Sequence, residues 1–248
     1  MQPALTAAID GPILIREGAA RRRIIVFVLL GIAAYVLTML ATMPASVIVK
    51  NQPWRTGVAG TVWNGEVGIA GGTKLEWQMA PLRSLTSLAF AADFKGTGPD
   101  TDLGGQMLMH LGGRIVLDNV SGSAHASLLR ALQPNLPFTC DMAMQIEMKR
   151  IAIGGGNQML DGTLTTDPGT CRANGGGAAS AVPALILTAE HIGTATRIRL
   201  APMAQRRKIL LDATLAEDGT LDIGLTADGA AMLPFVGMPA GLRIKGQM

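Results

Sequence analysis

Charged and aromatic residues are both scarce in this chain of 248 residues. Asp, Glu, Lys and Arg make up 16% of it, against about 25% in ordinary soluble domains, and Phe, Trp and Tyr make up 4%. Residues of the set AVILMFWYC account for 48%. This composition argues against a disordered chain and against a large core built from Phe and Tyr, so smaller apolar side chains must supply most of the apolar mass.

Neither sign of charge dominates. Four of the 21 basic and two of the 18 acidic residues precede position 44, so the remainder, with 17 basic and 16 acidic residues, is nearly neutral. Its one basic run, residues 206–208, has no interleaved aromatic residues. We therefore expect no nucleic-acid partner.

Motifs for catalysis and metal binding are also missing. The three histidines, His110, His125 and His191, lack the spacing of a metal site, and no G-x-S-x-G element positions a serine nucleophile. The glycine runs 154–156 and 175–177 lack the Lys-Ser/Thr of a phosphate-binding loop. The sequence predicts a protein that is not an enzyme and that binds no metal or cofactor.

One long hydrophobic run is present. Residues 24–43, IIVFVLLGIAAYVLTMLATM, carry no charge over 20 positions, which matches a helix across a hydrocarbon core of about 30 Å. Arg21, Arg22 and Arg23 precede the run, whereas the first basic residue after it is Lys50. The positive-inside rule predicts a cytoplasmic tail (1–23), a transmembrane helix (24–43) and a domain across the membrane (44–248).

A cleaved signal peptide is the alternative interpretation of this segment. Its apolar stretch is normally about 7 to 15 residues long and is followed by a small-x-small cleavage site. The run here is longer, and Met43-Pro44-Ala45 fits that site poorly. An uncleaved anchor is favoured.

Cysteine occurs twice, at Cys140 and Cys171. Both follow the predicted anchor and would face an oxidising compartment, where a disulfide is the expected state. Free buried thiols are the alternative. A catalytic thiol or a metal site would need further groups at suitable spacing.

The region after the anchor has the patterns of β-structure. Apolar and polar residues alternate, as in a half-buried strand, at 74–79, 85–95, 106–111 and 140–148. The last segment places Cys140, Met142, Met144, Ile146 and Met148 on one face. Segments 209–215 and 221–225 flank an Asp-Gly pair and predict a hairpin.

Helical patterns after the anchor are confined to residues 124–132. Residues 96–105, GTGPDTDLGG, are interpreted as a loop, and Asp161-Gly162 and Asp228-Gly229 as turns. The predicted fold is mainly β, with one N-terminal transmembrane helix followed by a single curved, mostly antiparallel β-sheet domain.

One motif is more specific than composition. The element GTVWNG occupies residues 60–65, and a strand containing Trp77 follows it. Glycines would permit tight or bulged backbone, while tryptophan would supply a large anchor for the scaffold or for a partner. The residues singled out are Gly60, Thr61, Val62, Trp63, Gly65 and Trp77.

The order of the hydrophobic run and the motifs in residues 43–82 resembles the type II secretion system protein N family, also called general secretion pathway protein N. In that family a short cytoplasmic tail and a membrane helix precede a Gly-Thr-Val/Leu-Trp-x-Gly element and a Trp strand. Beyond residue 82 the resemblance rests on the paired cysteines, the glycine-rich strands and the apolar C-terminus.

The resemblance implies a single-pass inner-membrane protein of a Gram-negative bacterium, with its C-terminal domain in the periplasm. It would contribute to export of folded proteins by binding other secretion subunits through strand addition or side-chain packing. The partners implied are inner-membrane platform proteins, the outer-membrane secretin, or both, and residues 24–43 would contact the bilayer.

The alternative function is lipid handling or envelope maintenance. A membrane-anchored sheet with an apolar face resembles AsmA-like proteins in outline. The apolar faces at 107–111 and 140–148 would then line a lipid groove, whereas in a secretion scaffold they would form the core.

Overall fold

The computed structural model describes residues 15–47, 55–132 and 136–247. The chain divides into two compact units, Met1–Met43 and Pro44–Met248. Lys50, used above for the charge asymmetry around the anchor, lies outside the described residues.

The first unit contains one long helix, α1 (Ile15–Ala41). Its segment Arg21–Ala41 has a mean hydropathy of 2.7 and is long and apolar enough to cross a bilayer. The helix ends two residues before the predicted boundary at residue 43, because Pro44 disfavours helical backbone in the residue before it. An N-terminal apolar helix of this kind is consistent with inner-membrane anchoring.

The second unit is built mainly of strands, and strand accounts for 53% of the chain. In chain order they are β1 (Arg55–Gly60), β2 (Asn64–Ile69), β3 (Thr73–Met79), β4 (Phe90–Gly98), β5 (Thr101–Met109), β6 (Ile115–His125), β7 (Phe138–Asp141), β8 (Ala143–Ile153), β9 (Met159–Thr166), β10 (Gly169–Ala173), β11 (Ser180–Val182), β12 (Leu185–Ile192), β13 (Ala195–Pro202), β14 (Leu211–Ala216), β15 (Thr220–Leu225) and β16 (Arg243–Gln247).

Thirteen of the described strands form one open antiparallel sheet, in the order β1-β2-β3-β4-β5-β6-β8-β9-β12-β13-β14-β15-β16. Neighbouring strands in this sheet follow one another along the chain except where β7, β10 and β11 leave it. The mainly β, antiparallel fold class predicted from the sequence is confirmed.

The three strands that leave the large sheet form a second sheet, in the order β11-β10-β7. The sequence did not predict this sheet. The alternating segment 140–148 crosses from one sheet to the other, because β7 ends at Asp141 and β8 begins at Ala143. Met142 lies between the two strands and is buried, so the alternation continues although the strand does not.

Several local predictions are confirmed. Segment 74–79 lies within β3, and β14 and β15 form the predicted hairpin. In its turn the backbone N–H of Thr220 donates to the Asp218 carboxylate at 2.8 Å, which lowers the pKa of Asp218 below its ordinary value. The helix predicted at 124–132 begins later, as α3 (Ser127–Leu132), because residues 124 and 125 belong to β6.

The prediction of a strand over 85–95 is wrong in its first part. Residues Pro81–Ser87 form a helix, α2, and the strand β4 begins only at Phe90. Proline is favoured in the first turn of a helix, and Leu88 ends the helix in the left-handed conformation at φ 49°. The apparent alternation across residue 88 therefore joins two different elements.

The interpretation of residues 96–105 as a loop is also wrong. They form the end of β4, a turn at Pro99-Asp100 and the start of β5. Phe94 lies opposite Gly105, and a Cβ on Gly105 would lie 2.8 Å from the Phe94 ring. Glycine is needed there because the aromatic ring covers the opposite strand.

Two predicted turns lie inside regular elements. Asp161-Gly162 belongs to β9, opposite an irregularity in β8 between Met148 and Arg150, and glycine commonly marks such bulges. Asp228-Gly229 begins the helix α4 (Ala227–Met232). Thr226 caps this helix by accepting the Gly229 N–H at 3.0 Å, as threonine does at helix N-termini.

Candidate functional site

The residues of the GTVWNG motif form the turn between β1 and β2. The Thr61 N–H donates to the Asn64 carbonyl at 2.8 Å, and the Asn64 N–H donates to the Thr61 hydroxyl at 3.2 Å. Gly60 has φ 84°, in the region that favours glycine. Pro44 pairs with Thr61 in an isolated β-bridge.

Trp77 on β3 binds this turn through a hydrogen bond. Its indole N–H donates to the carbonyl of buried Val62 at 3.0 Å. Gly65 lies under the indole ring, where a Cβ would overlap Trp77 and approach the Thr61 carbonyl to 2.9 Å. The motif therefore needs glycine at 65, because the indole ring of Trp77 fills the space that a side chain at 65 would take.

Trp63 joins the turn to the strands on either side of α2. Its carbonyl accepts the Met79 N–H at 2.7 Å, and its ring centroid lies 6.3 Å from that of Phe90. Because Met79 ends β3 and Phe90 begins β4, the motif supports the segment that carries α2 at both ends.

The polar residues of α2 are bonded to the helix itself or to the sheet. The Ser84 hydroxyl accepts the Ala91 N–H at 2.9 Å, and the Ser87 hydroxyl donates to the Arg83 carbonyl at 2.6 Å. Arg83 forms a 2.8 Å ion pair with Asp93 on β4. The side of the helix that packs on the sheet is thus polar.

The leucines of this helix are exposed to solvent. Leu82 and Leu85, three residues apart on α2, are 81% and 74% exposed, and Leu88 at its end is 82% exposed. An ordinary surface helix turns its apolar face towards the core, so this helix has the reverse arrangement. We call Leu82, Leu85 and Leu88 the leucine patch.

A cavity of about 410 Å³ is lined by residues of both the large and the small sheet. Its floor contains Leu164, Leu187, Leu200 and Leu211, which lie directly opposite one another on β9, β12, β13 and β14. All four are partly buried. We call this cavity the apolar slot.

The roof of the apolar slot comes from the small sheet and the segment after α4. Phe138, Cys140 and Cys171 line it from β7 and β10, and Phe235 lies against Phe138 with a centroid distance of 5.3 Å. Among the described lining residues the polar side chains are threonines. The hydroxyl of Thr166 already has a hydrogen-bond partner, because it accepts the Leu185 N–H at 3.1 Å.

The geometry of the motif is that of a structural scaffold. Residues 51–232 match the family model described as type II secretion system (T2SS), protein N. The match includes the motif, the leucine patch and most of the residues that line the apolar slot. The chain belongs to the type II secretion system protein N family. The resemblance inferred from the sequence is confirmed.

No curated protein and no solved structure matches the chain. Membership of the protein N family implies a role in type II secretion and interaction with other subunits of that system. The family is a structural component of the secretion machinery and is not a known enzyme family.

The two cysteines of this protein N family member are joined in a disulfide, consistent with the expected pairing. Cys140 and Cys171 are opposite each other on β7 and β10, so the bridge ties neighbouring strands of the small sheet. Arg21, Arg22 and Arg23 lie on α1 with exposed side chains.

Of the two faces predicted to line a lipid groove, one contributes to the apolar slot. Met142 and Met144 line it. Met107 and Met109 are not among its described lining residues, and Leu111 lies fully exposed in the turn after β5.

Sequence reasoning missed a contact among His125, Ser127 and Asp141. The two ring nitrogens of His125 lie 3.0 Å from the Ser127 hydroxyl and 3.0 Å from the Asp141 carboxylate. The Ser127 N–H also approaches the first of these nitrogens, at 3.3 Å, so the group closes the local turn into α3 and links it to β7. Within residues 15–47, 55–132 and 136–247, no cluster of three or more His, Cys, Asp or Glu forms a metal site.

Proposed function

We propose that this protein is a non-enzymatic, inner-membrane-anchored component of the type II secretion machinery. It contributes to export of folded proteins by binding other subunits through its periplasmic β domain. Family membership supports the role in secretion. The outward leucine face of α2 supports binding as the mechanism and is the observation that carries the proposal.

The proposed topology has the N-terminus in the cytoplasm and residues 44–248 in the periplasm. The arginines at positions 21–23 support it, because positive charge next to a membrane helix is enriched on the cytoplasmic side. The apolar segment Arg21–Ala41 supplies the anchor.

The leucine patch is the proposed contact surface. Exposed apolar patches commonly mark interaction sites, and here Ser84 and Arg83 on the sheet-facing side of α2 bond to β4. Burying three exposed leucines against an apolar surface would stabilise a complex by about 1.5 to 3 kcal/mol for each side chain at most.

The short chain connection to the anchor supports a partner at the inner membrane. The motif that supports α2 pairs through Thr61 with Pro44, and Pro44 follows the end of α1 by three residues. This end of the sheet is therefore close along the chain to the anchor. We propose an inner-membrane platform protein as the partner of the patch, in preference to the outer-membrane secretin.

A photo-crosslinking residue in place of Leu85, in cells that contain the whole machinery, tests this contact. We expect a covalent product with a platform subunit and none from the same residue in place of Leu111, which is exposed at another turn. Products with lipid alone, or the same protein product from both positions, would contradict the proposal.

A secretion assay on a variant of the patch complements the cross-linking experiment. Leu82→Ser with Leu85→Ser removes most of the patch without touching the bonds of Ser84 or Arg83. We expect normal amounts of membrane-anchored protein and a severalfold loss of secretion, whereas Leu111→Ser secretes normally. Full secretion by the double variant would reject the patch as the contact surface.

A further inference from the structure

We propose that the apolar slot between the two sheets holds one acyl chain of a membrane phospholipid. The proposal goes beyond subunit binding, and of the proposed function it rests only on the membrane anchor. The leucine patch and the slot are formed by different residues, so each can fail without the other.

The dimensions of the slot fit a single extended chain. Its floor crosses five neighbouring strands, from Met144 on β8 to Leu211 on β14, which at a spacing of about 4.8 Å gives a length of about 19 Å. Dividing the volume of about 410 Å³ by this length leaves a cross-section of about 20 Å². A slot this long and narrow suits an extended hydrocarbon chain, whose methylene groups contact side chains at about 4.0 to 4.5 Å.

The chemistry of the lining selects an apolar occupant. Leucine, methionine and phenylalanine side chains dominate it, and the hydroxyl of Thr166 is bonded to the backbone. A polar or charged ligand would lose its water without gaining partners. Even an apolar cavity of about 150 Å³ stays dry and binds benzene, so a larger one is well suited to a hydrocarbon.

The headgroup of the lipid must stay outside. Leu129 lines the slot and is 43% exposed, so the lining of the slot reaches the surface beside α3. The lipid chain would enter there, while its headgroup remains in water. Met142 and Met144 line the slot and are buried, and their flexible side chains adapt to occupants of different length.

The partial burial of the four floor leucines supports the binding of an acyl chain in the slot. Leu164, Leu187, Leu200 and Leu211 lie in one row between two sheets and yet remain only partly buried. In a close-packed interior such side chains would have neighbours on all sides. An acyl chain lying across the row supplies the missing contacts to all four.

A membrane phospholipid is the source we propose. The domain follows an apolar helix long enough to cross a bilayer, so phospholipid is the most concentrated acyl compound within its reach. Free fatty acid has the same hydrocarbon chemistry and is distinguished by experiment.

The test reconstitutes the full chain into vesicles that contain phosphatidylethanolamine with a diazirine in one acyl chain. After illumination and proteolysis, mass spectrometry locates the label. Label on Arg21–Ala41 serves as the internal reference, because that helix contacts the bilayer in any case. We expect label also on peptides containing Leu164, Leu187 or Leu200, and less from free fatty acid carrying the same group.

A variant that fills the slot is the decisive comparison. Leu200→Trp, with Leu111→Trp as the matched exposed control, should lower slot labelling at least tenfold relative to the Arg21–Ala41 reference. Resistance to limited proteolysis before illumination checks that each variant folds. If Leu200→Trp does not fold, the position of the label in the natural protein decides.

Three results would overturn the proposal. They are label confined to α1 and the surface of the sheet, equal labelling of the Leu200→Trp and Leu111→Trp variants, and slot labelling by free fatty acid without labelling by phospholipid. Absence of slot label together with a cross-link from position 85 would reject the lipid and leave subunit binding intact.

Discussion

At the residue scale, Gly65 and Trp77 explain why the motif has its particular composition. The indole of Trp77 covers Gly65 and bonds the Val62 carbonyl. Strand propensity would favour a larger residue at 65, but the ring occupies that space. The aromatic side chain in this motif is therefore used to hold a turn and not simply to fill a core.

Gly65→Ala should destabilise the domain by about 1 to 3 kcal/mol, the range for overpacking in an interior. Gly57→Ala is the matched control, because a Cβ there has no neighbour within 4 Å. Denaturant unfolding of the two variants measures the difference. Equal midpoints would show that the turn adapts to the extra carbon and that Trp77 is not tightly placed.

At the scale of elements, the small sheet depends on a covalent bond. It has three strands, of which β11 is three residues long, and Cys140 and Cys171 join the other two. A sheet of three short strands needs a hydrophobic face packed against other elements to be stable. The disulfide and the packing of Phe138 on Phe235 supply that support.

Cys140→Ser combined with Cys171→Ser should lower the free energy of unfolding by about 3 to 4 kcal/mol, as expected for a closed loop of about 30 residues in the chain-entropy description. Reductant should lower the midpoint of the natural protein and leave the variant unchanged. Thiol labelling of denatured, unreduced protein from the periplasm should modify neither cysteine. Modification of both would reject the bridge.

At the scale of the whole molecule, the large sheet is open, and β1 and β16 are its edge strands in the part of the chain that the structure describes. Edge strands offer unpaired backbone groups to a further strand, so we propose strand addition as a second mode of subunit binding beside the leucine patch. β16 is exposed along its length, which makes it the more accessible of the two edges.

The proposed topology leads to a prediction for fusion proteins. Alkaline phosphatase fused to the C-terminus should be active, because it folds in the periplasm, and a fluorescent protein that needs the cytoplasm should be dark at the same site. Replacing Arg21, Arg22 and Arg23 together should weaken this orientation. An inactive phosphatase fusion in the natural chain would reverse the topology.

The gene's surroundings offer an independent check of the secretion role. A component of the machinery should be encoded beside a secretin, a secretion ATPase and pseudopilins. Their absence, combined with normal secretion after deletion of the gene, would contradict the proposed function.

The membrane helix and several strands can be predicted from the sequence alone, because each depends on residues that are neighbours along the chain. Twenty uncharged residues suffice to indicate a membrane-spanning helix, and alternation suffices to indicate strands such as β3 and the β14–β15 hairpin. The hydrophobic run and the motifs in residues 43–82 indicate the family for the same reason. Local patterns were misleading at residues 85–95 and 96–105, where a helix cap and an aromatic ring over glycine override propensity.

The candidate sites required the tertiary structure. Alternation shows which residues of a strand share a face, but it does not show which strand lies opposite or which sheet covers that face. The outward position of Leu85 depends on how α2 packs on β4. The division of 140–148 between two sheets and the alignment of Leu164 with Leu187 and Leu200 depend on pairing between separate strands. Register brings these residues together, and register is a property of the folded chain.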